Sequence, residues 1–373
     1  MDLWRFDGWF QGQWGGSYFY NDQRGRTDWG WTRPDYGRQE VRQYILDSQR
    51  MWTEEYRASG FRWDSTLYMR VTDWGANPEG WSLLQRLNND LDARQPWKIN
   101  IAEDLQGDAS LARDTSQGGA GFDSQWSGFV YTLKGLMSAV WDNDRNMYSL
   151  RDALNERFNG DAFERVVYTE SHDENANGRQ RPPSESDAAN PGSYWARKRS
   201  TLGAAAMFKA PGVPMLFQGQ EILEGGYFAD TDPVDWSKLT TYAGINLFYK
   251  DMIRLRRNPS GTTRGPKGQG MNVFHVNNAD KVVAFHRYDQ GGSGDDVVVV
   301  MNWANAARTN YQIGNPRSGA WSVALNSNWN GYSSDFGNTF QPSFQASSTP
   351  CDGLGFSAGV NLGPYTCLIL TKD

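Results

Sequence analysis

The sequence is short of cysteine and histidine. Its two cysteines, Cys351 and Cys367, match no metal-ligand spacing. So few thiols in 373 residues fit a reducing compartment, with a single disulfide left open. Only three histidines occur, His172, His275 and His286. No apolar run reaches membrane length, and the first residues lack the charged-then-apolar order of a secretory signal. A cytoplasmic location without a membrane partner is therefore expected. Charge of one sign is not in excess: 37 basic residues stand against 43 acidic ones, net −6, and no basic stripe marks a nucleic-acid surface. No EF-type loop or carboxylate cluster suggests a metal, and no cofactor is expected. Internal repeats are absent.

Aromatic residues, by contrast, are abundant: 14% of the chain, with 17 Trp. Flat apolar faces beyond the needs of a core suit the C–H face of a pyranose. Residues 1–37 are irregular and aromatic-rich, and a loop of that length is uncommon unless it is functional. Trp4, Trp9, Trp14, Tyr20, Trp29 and Trp31 are candidate sugar platforms there. Trp4, Trp29 and Trp31 are taken forward as substrate-binding candidates. Core and loop packing would also account for most of the tryptophans.

From residue 38 onward the periodicity becomes regular. Helical spacing over 38–59 (Val41, Tyr44, Ile45, Met51, Trp52, Tyr56) ends at Gly60, and a strand follows. Further helices are expected near 80–91, 126–140, 148–158, 194–208 and 242–256. Strands are expected near 98–103, 121–125, 165–171 and 212–217. Strands alternating with helices imply parallel βαβ units. Five such strands could complete a doubly wound sheet or form part of an eight-stranded barrel. Residues 258–270 have a linker's composition. Beyond them, short β-rich runs at 271–276, 281–286, 297–303, 320–325 and 365–370 predict an antiparallel sandwich, with 327–350 a long loop.

Three strand ends deliver acids. In Gly60-Phe61-Arg62-Trp63-Asp64, Arg62 and Asp64 share a face of the strand, so the guanidinium can hold the carboxylate ionised. Taken alone, that stretch could equally be a surface Arg–Asp pair on an edge strand. Ile101-Ala102-Glu103-Asp104 ends a second strand, and Ser171-His172-Asp173-Glu174 follows a third. Ligands of parallel α/β folds bind at the C-terminal ends of strands. Glycoside chemistry needs one ionised carboxylate and one carboxylic acid. Asp64 fits the first and Glu103 the second. Asp173 with His172 suits a grip on sugar hydroxyls.

In order and spacing, these three segments resemble the second, third and fourth signature regions of the α-amylase family of glycoside hydrolases. Phe217-Gln218-Gly219-Gln220-Glu221 resembles the family's segment at the eighth barrel strand. The runs 282–287 and 297–302 resemble its all-β C-terminal domain. The resemblance implies that Asp64 is the nucleophile, Arg62 its partner, Glu103 the general acid/base, and Asp173 with His172 the pair that stabilises the transition state. It implies an α/β (β/α)8 TIM-type barrel over 1–257, a linker at 258–270 and an antiparallel β-sandwich over 271–373. Ser-His-Asp-Glu, and Leu67-Tyr68 where many amylases carry a Lys-His pair, lean toward 1,4-α-glucan branching enzymes. The substrate implied is an α-glucan such as glycogen, amylose or maltooligosaccharides.

One departure matters. The family's first signature region is missing, so only barrel strands four to eight are present, and the chain reads as N-terminally truncated. The expected activity is a retaining transglycosylase making α-1,6 branches. An amylase-like hydrolase and an inactive glucan-binding remnant are the alternatives. Oligomeric state is not fixed by the sequence.

Overall fold

The computed structural model describes residues 18–176, 178–339 and 341–372. The chain divides into two compact units, residues 1–127 with 157–166, and residues 128–156 with 167–373.

The first unit is built on parallel strands. Helix α1, Gln39–Glu54, buries Val41 and Leu46 and ends before β1, Gly60–Trp63. A five-residue helix α2, Thr66–Arg70, and helix α3, Pro78–Arg94, precede β2, Ile99–Ala102. Proline opens α3, where its missing N–H costs nothing. Strand β3 is Ser124–Trp126, and β4 is Arg165–Val167, of which Arg165 and Val166 belong to this unit. β1 pairs with β2, β2 with β3 and β3 with β4, all parallel. Gly60 sits opposite Ile99, and a Cβ there would overlap the Ile99 carbonyl oxygen. The helix stops at Glu54, five residues short of the expected end at 59, and Gly60 instead lets the two strands meet. Leu83, Leu84, Leu87, Ala102, Leu111 and Phe122 form the core beneath.

The second unit contains helices α4 (Phe129–Ser138), α5 (Met147–Asn155), α6 (Tyr194–Lys209) and α7 (Ala243–Arg257). The carbonyl of Val167 accepts a hydrogen bond from Met215 N at 3.0 Å, just after β5, Val213–Pro214. The remainder is antiparallel: β6 (Gly270–Asn277), β7 (Val282–Tyr288), β8 (Val297–Asn302), β9 (Arg308–Asn315), β10 (Gly319–Asn326), β11 (Ser343–Ala346), β12 (Phe356–Leu362) and β13 (Thr366–Thr371). A six-stranded sheet in the order β11-β10-β13-β8-β7-β6 faces the pair β9-β12. Val282, Val298, Val300 and Leu370 interdigitate with Ile313, Val360 and Leu362 between them.

Three strands of the antiparallel part escaped the sequence reading. β11 lies inside the stretch 327–350 expected to be one long loop, and β9 and β12 lie between the expected runs. Their residues are rich in Asn, Gln, Gly and Ser, with apolar groups on one face alone. The linker-like stretch 258–270 is also tightly held at its end. The buried guanidinium of Arg287 donates to the carbonyls of Lys209 (2.6 Å), Gly268 (2.8 Å) and Gly270 (3.0 Å).

Candidate active site

Asp64 and Glu103 each stand one residue past the end of a strand, β1 and β2 respectively. Both reach the same guanidinium. Arg62 Nη1 lies 2.8 Å from Asp64 Oδ1, and its Nη2 lies 3.6 Å from Glu103 Oε2. The face-sharing of Arg62 and Asp64 expected from strand geometry is therefore realised, and it extends to a second acid. The guanidinium carbon is 4.5 Å from the centroid of the buried Trp126 ring, so the fork is held from below as well.

The two carboxylates differ in surroundings. The Asp64 side chain is 75% exposed and that of Glu103 only 14%. Glu103 Oε2 accepts a 2.6 Å hydrogen bond from the backbone N–H of Ser65. Ser65 adopts the left-handed conformation (φ 46, ψ 52), uncommon for a residue with a side chain, and this turns its amide toward Glu103. One acid is thus open and the other screened, with a cation shared between them.

A cavity of about 560 Å³ opens at Asp64 and Arg62. Phe61, Trp63, Tyr68, Trp52 and Trp29 line it, the last 61% exposed. Its size and aromatic walls suit a small-molecule or short oligosaccharide ligand. Trp29 stands edge-on to Tyr68 with centroids 4.9 Å apart, and the Tyr68 hydroxyl bonds Asp28. That bond to a carboxylate raises the Tyr68 phenol up to about 12, so it remains a donor at neutral pH.

The sequence candidates distribute as follows. Arg62, Asp64 and Glu103 come together in the first unit, and Trp29 lines the cavity that includes Asp64. Trp31 is half-buried and packs near Gly25, away from the cavity wall. Trp4 lies outside the described residues. His172 and Asp173 belong to the second unit, where His172 Nε2 is 3.3 Å from Asp173 Oδ2 and its ring meets Phe228 edge-on at 6.4 Å. They lie five and six residues past the end of β4, on a turn, not directly at a strand end.

A buried ionic network surrounds that turn within the second unit. Glu170 accepts from Asn175 Nδ2 at 2.8 Å and lies 3.4 Å from Arg181 Nη1. Burial pushes the Glu170 carboxyl up to about 7, against the pull of Arg181. Lys134 Nζ donates to the carbonyls of Glu174 (2.5 Å) and Gln180 (2.9 Å), tying down both ends of the loop. No sequence motif announced Ser65, Trp126, Trp52 or Glu170. For Glu170 the cue was an acid inside an otherwise apolar strand end.

Among the described residues no group of three or more His, Cys, Asp or Glu could hold a metal ion, and no helix is long and apolar enough to cross a membrane. Cys351 and Cys367 are both free thiols.

Comparison with known proteins gives these features a context. Residues 274–373 match the alpha amylase C-terminal all-beta domain. The fold is similar to a pullulanase from Anoxybacillus sp. LM18-11 solved with maltotetraose (TM-score 0.66, 17% identity, 96% of this chain and 50% of that one). It is also similar to an Anoxybacillus alpha-amylase (TM-score 0.60, 14% identity, 92% of this chain and 66% of that one). Sequence and fold together make the chain similar to enzymes of the α-amylase family.

Curated proteins similar to it include 1,4-alpha-glucan branching enzymes. That of Nitrosococcus oceani is 27% identical over 391 residues, covering 96% of this chain and 50% of the relative. That of Aquifex aeolicus is 28% identical over 391 residues, covering 95% and 58%. The chain thus spans about half the length of the curated relatives it matches.

Proposed function

We propose that this chain carries the acid residues of a retaining α-glucan transglycosylase, one that makes α-1,6 branches from α-1,4-linked chains. The observation that carries it is the single Arg62 guanidinium shared by an open Asp64 and a screened Glu103 at the mouth of an aromatic cavity. In the first step an Asp64 oxygen attacks the anomeric carbon, the glycosidic C–O bond breaks, and Glu103 gives its proton to the departing oxygen. In the second, the 6-hydroxyl of an acceptor glucan loses its proton to Glu103 and displaces Asp64. Asp173, oriented by His172, is the third acid, gripping sugar hydroxyls as the ring flattens. Trp29 and Tyr68 supply the faces against which the glucan lies. We read the parallel strands as strands four to eight of a (β/α)8 barrel followed by the all-β domain. The branching-enzyme relatives and the two amylase-family structures support this assignment.

Incubation with amylose tests it. New α-1,6 linkages, read by proton NMR of the anomeric region and abolished in Asp64→Asn, are the expected result. Reducing ends alone would make the activity hydrolysis. Turnover that survives Asp64→Asn would remove Asp64 from the chemistry.

A further inference from the structure

The two acid-bearing loops of the first unit are cross-braced by Thr66, Arg70, Asp104 and Asp108, none of which lines the cavity. Asp104, next to Glu103, is buried and gripped through both oxygens by Arg70, at 2.9 Å from Nε and 2.8 Å from Nη2. Arg70 ends helix α2, the five-residue turn that begins two residues after Asp64. At the start of that turn the N–H of Thr66 donates to the Glu103 carbonyl at 2.9 Å, and its hydroxyl lies 3.0 Å from the same carbonyl and 3.1 Å from Asp104 Oδ2. The remaining nitrogen of Arg70 is 3.0 Å from Asp108 Oδ2, and Asp108 in turn accepts from Ser110 N at 3.0 Å and Ser110 Oγ at 2.6 Å. Ser65, between Asp64 and this brace, is the left-handed residue whose amide meets Glu103.

A bidentate Arg–carboxylate pair fixes both position and orientation, which a single ion pair does not. Here it locks α2 to the residue following Glu103. With α2 locked, Ser65 cannot relax to an ordinary backbone conformation, and its N–H stays on the Glu103 carboxylate. A hydrogen bond to the charged form favours that form. Arg62 reaches both Glu103 and Asp64, and Asp104, the residue after Glu103, is tied to Arg70, which also reaches Asp108.

We propose that Arg70 and Asp104 are positioning residues for Glu103: through Thr66 they hold the Ser65 amide on its carboxylate, setting both its placement beside Asp64 and the ease with which it gives up and regains a proton. The inference rests on the acid/base role assigned to Glu103 above. A purely structural ion pair at this place would support stability and leave the titration of Glu103 untouched.

The test uses the full chain with Arg70→Gln, Arg70→Lys and Thr66→Val. The Glu103 carboxyl is titrated by carbodiimide labelling across pH with peptide mass spectrometry, and turnover on amylose is followed over the same range. In Arg70→Gln the Glu103 midpoint is expected to rise by about one unit, since the Ser65 hydrogen bond to the ionised form is lost. The kcat is expected to fall roughly tenfold or more with KM little changed, and Arg70→Lys to recover part of both. Thr66→Val keeps the ion pair and the side-chain volume, so it reports the same upward shift should Arg70→Gln fail to fold. A folded Arg70→Gln or Thr66→Val protein whose Glu103 midpoint stays within about 0.2 units of wild type overturns the inference. Asp64→Asn separates the two layers: turnover surviving it defeats the assigned chemistry, whereas the Glu103 midpoint still decides the role of Arg70.

Discussion

The guanidinium of Arg62 rests 4.5 Å from the centre of the Trp126 ring while its nitrogens reach Asp64 and Glu103. The aromatic face confines the cation in a plane that a flexible ammonium would not keep. Arg62→Lys should therefore lower kcat on amylose by roughly ten- to a hundredfold while the fold persists, because charge is retained and the fork is lost. Steady-state kinetics with a parallel circular-dichroism melt check this. A variant with full kcat would remove the shared guanidinium from the mechanism.

Gly60 stands against the Ile99 backbone where β1 and β2 pair. A methyl group there has nowhere to go, since the obstacle is a carbonyl and not a movable side chain. Gly60→Ala should cost at least about 2 kcal/mol by denaturant unfolding, in the range of overpacking and backbone strain. It should also reduce turnover at permissive temperature, since β1 carries Arg62 and leads into Asp64.

Glu170 offers a pH signature. Its folded carboxyl ionises only at about 7, against 4.5 for the ordinary group, because it is buried. The folded state then holds a proton that the unfolded chain has released between those two values. Stability must fall as pH rises from about 4.5 to 7 and stay flat above, by an order of a few kcal/mol at most. Glu170→Gln should flatten that slope in urea titrations run across the window. An unchanged slope would mean that the ionic network keeps Glu170 charged throughout.

Two buried lysines on α6 make an internal control. Burial lowers both to about 7. Lys198 Nζ donates to Asn328 Oδ1 at 2.8 Å, whereas Lys209 Nζ is buried with no hydrogen-bond partner among the described residues. An amine that unfolded would titrate at about 10.5 contributes instability that is full below 7 and disappears as pH rises toward 10.5. Lys209→Met should therefore raise Tm at pH 7, with the gain shrinking by pH 10. Lys198→Met should gain less, because it gives up the bonds that Lys198 Nζ donates to Asn328 Oδ1 and Thr366 Oγ1. Thermal melts of both variants at the two pH values decide the matter.

The elements that position the acids were legible where one physical signal dominated. Helical spacing before Gly60 and the apolar run Ile99–Ala102 marked α1, β1 and β2 within a few residues. The pairing of Arg62 with Asp64 followed from the two-residue period of a strand. The extension of that cation to Glu103 did not, because it depends on which strands are neighbours, and nothing local encodes that β1 pairs with β2. Helix α2 was invisible for a different reason. Five residues give no periodicity, and its stability comes from the Arg70–Asp104 pair and from Glu103, more than thirty positions downstream. β9 and β12 were missed because a polar residue or glycine follows almost every apolar one, so neither reads as a β-rich run, and their partner is each other.

Lys198 crosses from a helix of the second unit to Asn328 and Thr366, and Arg287 returns from β7 to the carbonyl that closes the same helix. Severing the chain near residue 270 would strand these cations: each would lose acceptors that sit on the other piece. The all-β portion excised by itself should consequently demand either a replacement for α6 or neutral side chains at the scar. Composition alone makes that peptide stretch look like a convenient place to cut.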